Sequence, residues 1–215
     1  MKSIICLCLL LSLMACNTRQ RVSYEGGGSY LQTVDSGLLQ DIRVVKFENS
    51  VGVVFPAKFA EKLIGTKDSG NTSFFTPDTN LIRRVNREID YQYCRISESA
   101  TLSLFTKLAN GSKPDSVRRS LSKELTNSIN NISVESCLNW QKNGNYYDRQ
   151  FVGLIMPNGE KVITIKLIDF RQDPHNLKQY FLNTWISGWH GWFYSNVQEF
   201  SFNINKNTLS TNSGF

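Results

Sequence analysis

Hydrophobic spacing divides the chain into three regions. Residues 42–47 and 51–55 are β-branched and aromatic runs on either side of the turn-like Glu48-Asn49-Ser50, a pattern that predicts a hairpin ended by Pro56. Residues 58–64 allow two helical turns before Gly65, and 66–73 read as loop. In the middle of the chain the period lengthens. Thr76-Pro77-Asp78 has the form of a helix start, with Thr76 as N-cap and Pro77 at the first helical position. Leu81, Ile82, Val85, Ile89, Tyr93 and Ile96 then recur at three- and four-residue steps. Leu102, Phe105 and Leu108 suggest a second short helix over 97–108. After the break at Asn110-Gly111, Val117, Leu121, Leu125, Ile129 and Ile132 predict a third.

Period two returns near residue 149. Runs at 149–156 and 161–167 flank Asn158-Gly159, which predicts a hairpin closed by a tight primed turn. Phe200, Phe202 and Ile204 alternate along a last strand, and 208–215 read as a polar tail. Helices and strands are segregated along the chain, so the expected class is α+β. The expected arrangement is an N-terminal hairpin, a middle run of two to three helices, and C-terminal antiparallel strands forming one sheet packed on the helices.

The first sixteen residues follow neither period. Lys2 precedes a short apolar run, and Leu13-Met14-Ala15-Cys16 ends it on small residues and a cysteine. A run this short falls below the roughly 20 residues a membrane-spanning helix needs, so it reads as a targeting segment. Its form resembles a bacterial lipoprotein signal. That resemblance implies cleavage before Cys16, acylation of Cys16, and an outer-membrane address, since Asn17 and not Asp follows the cysteine. An ordinary secretory signal cut after Ala15 is the other reading. Residues 1–15 are then the signal and 16–37 a lipidated cysteine with a polar, Gly/Ser-rich tether. Such a tether has a root-mean-square reach of roughly 25 Å. Residues 38–215 form a single domain of ordinary size.

The net charge of +6, from 24 Lys and Arg against 18 Asp and Glu, is mild for this length. It argues against nucleic acid and leaves anionic lipid or polysaccharide as an acidic partner. Of the five cysteines, Cys6 and Cys8 leave with the signal and Cys16 takes the lipid. Cys94 and Cys137 remain, either bridged, as an oxidising compartment favours, or buried as small apolar side chains.

Further along, Tyr147-Asp148-Arg149-Gln150-Phe151-Val152-Gly153, then Asn158-Gly159-Glu160-Lys161, Trp185, and a final strand with Phe200, Phe202 and Asn203 form a recognisable series. It resembles the C-terminal half of a group of small uncharacterised lipoproteins and secreted proteins of Bacteroidetes-type bacteria. The chain departs from that pattern at 195–198, where Ser-Asn-Val-Gln replaces an Asp-Gly-Gly turn. The resemblance implies a fold and a compartment and carries no activity.

Catalytic and metal signatures are absent from the sequence: no H-E-x-x-H, C-x-x-C, Walker A or G-x-S-x-G pattern occurs, and no cofactor is expected. Two sets of residues hold candidate chemistry. Asp169, Asp173 and His175 have the ingredients of acid–base catalysis, although Asp-Pro-His-Asn is first of all turn chemistry. Trp185, Trp189 and Trp192, separated by small residues, are suited either to stacking on a glycan or protein partner or to closing the end of the core. Arg149 is a further binding candidate, with ion pairing to a neighbouring carboxylate as its structural role. The expected function is a lipid-anchored envelope protein that binds a protein or glycan partner. A small envelope hydrolase using Asp169, Asp173 and His175 is the alternative.

Overall fold

The computed structural model describes residues 20–24, 27–64, 72–110, 135, 137–188 and 191–211, with backbone alone for 20–30, 97–110 and 194. The signal and Cys16, the helix expected over 117–132, and Trp189 lie outside the described residues.

The class is α+β, built on a mixed sheet. Strand β1 spans Gln20–Tyr24, β2 Gly27–Thr33, β3 Arg43–Lys46, β4 Val51–Val54 and β5 Ser73–Phe75. Strand β6 follows at Asp148–Ile155, β7 at Lys161–Ile168, β8 at Thr184–Gly188, β9 at Val197–Asn203 and β10 at Thr208–Thr211. Helix α1 covers Ala57–Ile64, α2 Thr79–Asn110 and α3 Trp192–Asn196. The larger sheet runs β10-β9-β7-β6-β4-β3, with β5 also paired to β6, and a smaller one runs β1-β2-β8. One edge of β6 is shared: β4 pairs parallel with its first half and β5 antiparallel with its second.

The larger sheet is buried on both faces because side chains alternate along its strands. On β6 and β7, Phe151, Ile163, Ile165 and Leu167 point to the face covered by Ile82, Val85, Ile89 and Tyr93 of α2. Val152, Leu154 and Ile168 point to the opposite face, against Leu31 and Ile186 of the smaller sheet and Phe59 of α1. The order is helix, sheet, smaller sheet. A two-faced core explains why β6 and β7 read as nearly continuous apolar runs.

Several expectations are corrected. Residues 16–37 were expected to be tether, yet 20–24 and 27–33 are strands, with β2 pairing β8 from Ser29↔Gly188 to Thr33↔Thr184. Strand β2 is the central strand of the smaller sheet and buries Leu31, but its Gly- and Ser-rich sequence offers no sustained alternation to read. The break expected at residue 97 does not occur; α2 is continuous for 32 residues. Asp78 caps it in place of Thr76, its Oδ1 accepting from Leu81 N at 2.8 Å. Thr76 serves the other helix, its Oγ1 accepting from Ala57 N at 3.0 Å where α1 begins.

The Asn158-Gly159 hairpin has a three-residue loop in place of a two-residue turn. Met156 N donates to Glu160 O and Gly159 N to Met156 O, both at 2.8 Å, with Gly159 at φ +80°. Pro157 suits the second position of such a turn, and the following glycine takes the left-handed bulge position. The polar tail contributes a strand, β10, antiparallel to β9. The sheet also contains the parallel β4–β6 pair, so it is not wholly antiparallel.

Cys94 and Cys137 are bridged, with Cα atoms 4.8 Å apart. The bridge fastens α2 to the helical stretch 137–143, whose Trp140 stacks on Tyr93 with ring centroids 4.3 Å apart.

Candidate functional site

The sequence Arg149-Gln150-Phe151-Val152-Gly153 lies entirely on β6, and each side chain has an internal task. Arg149 is 1 % exposed. Its Nη1 donates to Ser50 Oγ at 2.6 Å and to Tyr147 O at 2.5 Å, and its Nη2 donates to Gly144 O at 3.1 Å. Its guanidinium stacks 4.8 Å above the Phe47 ring. Burial pulls Arg149 down to about 10, with the carboxylates of Asp90 and Asp148 opposing. Among the described residues Arg149 forms no ion pair with Asp148 or with a helix carboxylate, the partners expected for it; the Asp148 carboxylate accepts from Val51 N and meets Lys178 at 3.4 Å. Arg149 is thus a clamp on surrounding carbonyls, closed to a ligand.

Gln150 points to the other face and is fully buried. Its Nε2 donates to Phe181 O at 3.1 Å and Thr184 O at 2.6 Å, and its Oε1 accepts from Ile186 N at 3.0 Å. These bonds tie β8, and with it the smaller sheet, to the larger one. Gly153 is confined by Phe75, whose carbonyl would lie 2.6 Å from an added Cβ.

The tryptophans separate in space. Trp185 is buried on β8, edge-on to Phe55 with centroids 5.8 Å apart. Trp192 is half-buried on α3, stacked on Phe170, and donates through Nε1 to Gln172 O. Gly188 between them allows a close approach: an added Cβ would fall 2.4 Å from the Phe193 ring. Trp185 and Trp192 therefore belong largely to the core.

Asp169 and Asp173 also have structural partners. Burial pushes the Asp169 carboxyl up, but hydrogen bonds from the Arg171 side chain and backbone, together with its charge, outweigh this and hold it below the usual carboxylate range. Arg171 Nη2 lies 2.6 Å from Asp169 Oδ2. Asp173 accepts from Leu177 N and Lys178 N at 2.9 and 2.8 Å, starting the 3-10 turn Leu177–Tyr180. His175 is half-buried in the same loop. Among the described residues no cluster of three His, Cys, Asp or Glu side chains forms a metal site.

The concave chemistry is elsewhere. Where the smaller sheet stops covering β7 and β9, a cleft of about 410 Å³ opens, lined by Gln32, Leu63, Ile64, Leu154, Thr164, Lys166, Trp185, Ser187 and Glu199. Lys166 and Glu199 face each other across β7 and β9, in register, with Nζ 3.2 Å from Oε2. The same Nζ hydrogen-bonds Ser187 Oγ on β8 and sits 4.9 Å from the Trp185 ring centroid. Burial lowers the Lys166 pKa, and the charge and hydrogen bond of Glu199 only partly offset it.

No family model, curated protein or solved structure matches this chain.

Sequence periodicity passed over Lys166 because Lys161-Val-Ile-Thr-Ile-Lys-Leu167 reads as a strand with two routine charges. The available signal was a lysine within a run buried on both faces. Such a charge needs a partner.

Proposed function

We propose that the protein is a lipid-anchored binding protein of the bacterial cell envelope, acylated at Cys16, outer-membrane-facing, and related to the small Bacteroidetes-type lipoproteins its C-terminal half resembles. The ligand enters the cleft between the two sheets. What supports this reading is the buried Lys166 ammonium, held by Glu199 and Ser187 at the base of a cleft with Trp185, Leu63 and Ile64 as apolar walls. A cleft of this size with few polar groups has the general form of a small-ligand site. It suits the end of a protein or glycan partner that brings an acceptor group to the lysine. The hydrolase reading is weaker, since the carboxylates of Asp169 and Asp173 are already engaged by Arg171 and by backbone N–H groups.

The anchor and the fold are closely spaced. Strand β1 starts at Gln20, so a chain acylated at Cys16 would have four residues of slack, at most about 14 Å. The smaller sheet then lies near the lipid surface, much closer than a twenty-residue tether would place it.

A photoreactive amino acid at Gln32, on the cleft, tests binding in the native cell, with Tyr91 on the exposed side of α2 as the control position. The expected result is an adduct at position 32 that disappears with Lys166→Met and is absent at position 91. Identical products at both positions, or none at 32, refute the cleft. Labelled palmitate on the wild type and not on Cys16→Ser tests the anchor separately.

A further inference from the structure

The register of the smaller sheet decides at which of its ends the chain enters. Gln20, where β1 starts, pairs with Leu31, and Leu31 pairs with Ile186. Strand β2 leaves the sheet beyond Thr33 and β8 enters it at Thr184, so Gln20, Thr33 and Thr184 lie at one end. The turn between Tyr24 and Gly27 lies at the other, with Gly188. Two connections meet at the first end, where Val34 N donates to Asn183 O at 2.7 Å. One continues into the 3-10 helix Ser36–Asp41, and the other arrives from the 3-10 turn Leu177–Tyr180.

These connections turn large apolar side chains outward. Leu39 is 43 % exposed, Tyr180 40 % and Leu182 52 %. Their neighbours point inward: Leu38 and Ile42 pack against the core beside the smaller sheet, and Phe181 is buried. The exposed residues are thus braced by buried ones. Scattered singly, such residues need no explanation. Joined by a backbone bond at the end where the chain enters, they form a surface. Charge on it is sparse, since Asp41 is the one charged residue of Ser36–Asp41 and 179–183 contains none. The bordering lysines are already paired, Lys62 with Asp35 and Lys178 with Asp148 at 3.4 Å.

We propose that this end of the smaller sheet is a membrane-contact surface, with Leu39, Tyr180 and Leu182 seated at the boundary between lipid headgroups and acyl chains. The inference rests on the acylation of Cys16 put forward above and adds which part of the domain meets the bilayer. Where the chain attaches selects the occupant. Cys16 precedes Gln20 by four residues, at most about 14 Å, so the acyl chains hold this end of the sheet, and not the Tyr24–Gly27 turn, against the lipid. The two leucines then leave water for the acyl boundary, and Tyr180 sits where an amphipathic ring has one apolar and one wet side. Because the bordering lysines are neutralised by carboxylates, the attraction is apolar insertion, and neutral lipid serves as well as anionic lipid.

The test uses the full chain extracted from cells in detergent and reconstituted into vesicles of phosphatidylcholine, with and without phosphatidylglycerol. An environment-sensitive fluorescent amino acid is placed at position 39, 180 or 182, with position 91 on α2 as the control. Probes at 39 and 182 should shift to the blue on reconstitution and be quenched by brominated acyl chains several-fold more than the probe at 91, alike in both lipids and in high salt. With the probe at 180, the paired change Leu39→Ser, Leu182→Ser should cut the quenching several-fold. Since both leucines are exposed, circular dichroism of the paired variant should match the wild type. Quenching at 39 and 182 no greater than at 91, or an unchanged signal in the paired variant, overturns the proposal. So does a blue shift without quenching, which would mean that protein covers the surface, and so does quenching confined to phosphatidylglycerol or lost in salt. Flotation of the same vesicles reads the anchor separately. A chain that floats with unquenched probes keeps the Cys16 reading and loses this one, and a chain that does not float loses both.

Discussion

Gln150 is the most exacting test of how the two sheets are joined. Replacing it by Met keeps the length and approximate volume of the side chain while removing its three hydrogen bonds to Phe181 O, Thr184 O and Ile186 N. Each bond contributes about 1 kcal/mol net, and a buried group left unpaired costs about 1–3 kcal/mol, so the change should destabilise the protein by about 3–6 kcal/mol. That is a large share of the roughly 5–15 kcal/mol available to a domain. Gln150→Ala should cost more, because it adds a cavity. The loss should also be local. Hydrogen exchange at Ile186 and Leu31, in the smaller sheet, should accelerate well before exchange at Ile163 and Ile165, which are held between β6, β9 and α2. Urea unfolding followed by tryptophan fluorescence gives the free energy, with Trp185 on β8 reporting the joint. A Gln150→Met cost below about 1 kcal/mol, or uniform acceleration of exchange across both sheets, would refute the idea that Gln150 joins them.

Reduction of the Cys94–Cys137 bridge frees a 43-residue loop and should lower stability by about 4 kcal/mol on the chain-entropy account, measured by denaturation with and without reductant. Lys166 gives a pH signature with a definite sign. Its folded pKa is depressed below the ordinary 10.5, so between the two values the unfolded chain binds more protons and stability rises with pH. The stability difference between wild type and Lys166→Met should therefore shift in favour of wild type as pH climbs toward 10.5; an unchanged difference there would show that the lysine is not depressed. Gly188→Ala brings a methyl group to 2.4 Å from the Phe193 ring, and such overpacking should cost about 1–3 kcal/mol, read as a lower Tm.

What the sequence made legible depended on whether side chains or backbone held each element. The apolar steps at Ile82, Val85, Ile89 and Tyr93 identify the buried side of α2 because those residues pack on the sheet. The alternation of Phe200 and Phe202 likewise marks the buried side of β9. By contrast, β1 and β10 lie at sheet edges and β2 between β1 and β8, and these short, mostly polar segments contain too few apolar residues to carry a period. The helix break expected near Ser97 does not occur. No proline or glycine stands there to enforce one. Among candidate site residues, composition marked Trp185 and Trp192 without deciding between a partner surface and the core, and marked Arg149 but not its carbonyl partners. Lys166 and Glu199 became neighbours only through the β7–β9 register, and the segments of Leu39 and Leu182 only through the bond from Val34 to Asn183. Contacts between residues this far apart in sequence leave no trace in local spacing.

Strand β6 accounts for how one sheet serves two separate sides. Consecutive residues point to opposite faces, so Arg149 fixes Phe47 on the α2 side while Gln150 fixes β8 over the cleft. Damage to Gln150 should therefore disturb the cleft and spare the packing of α2. If the proposed anchor at Cys16 holds, the start of β1 at Gln20 lies within about 14 Å of the acylated residue, which brings the smaller sheet toward the lipid. On the far side of the larger sheet, α2 would then face away from the membrane. Attaching a fluorescent quencher pair to the lipid and to position 83 tests this order of layers directly. Weaker quenching at 83 than at position 32 supports it, and the reverse would require the domain to lie on its helix.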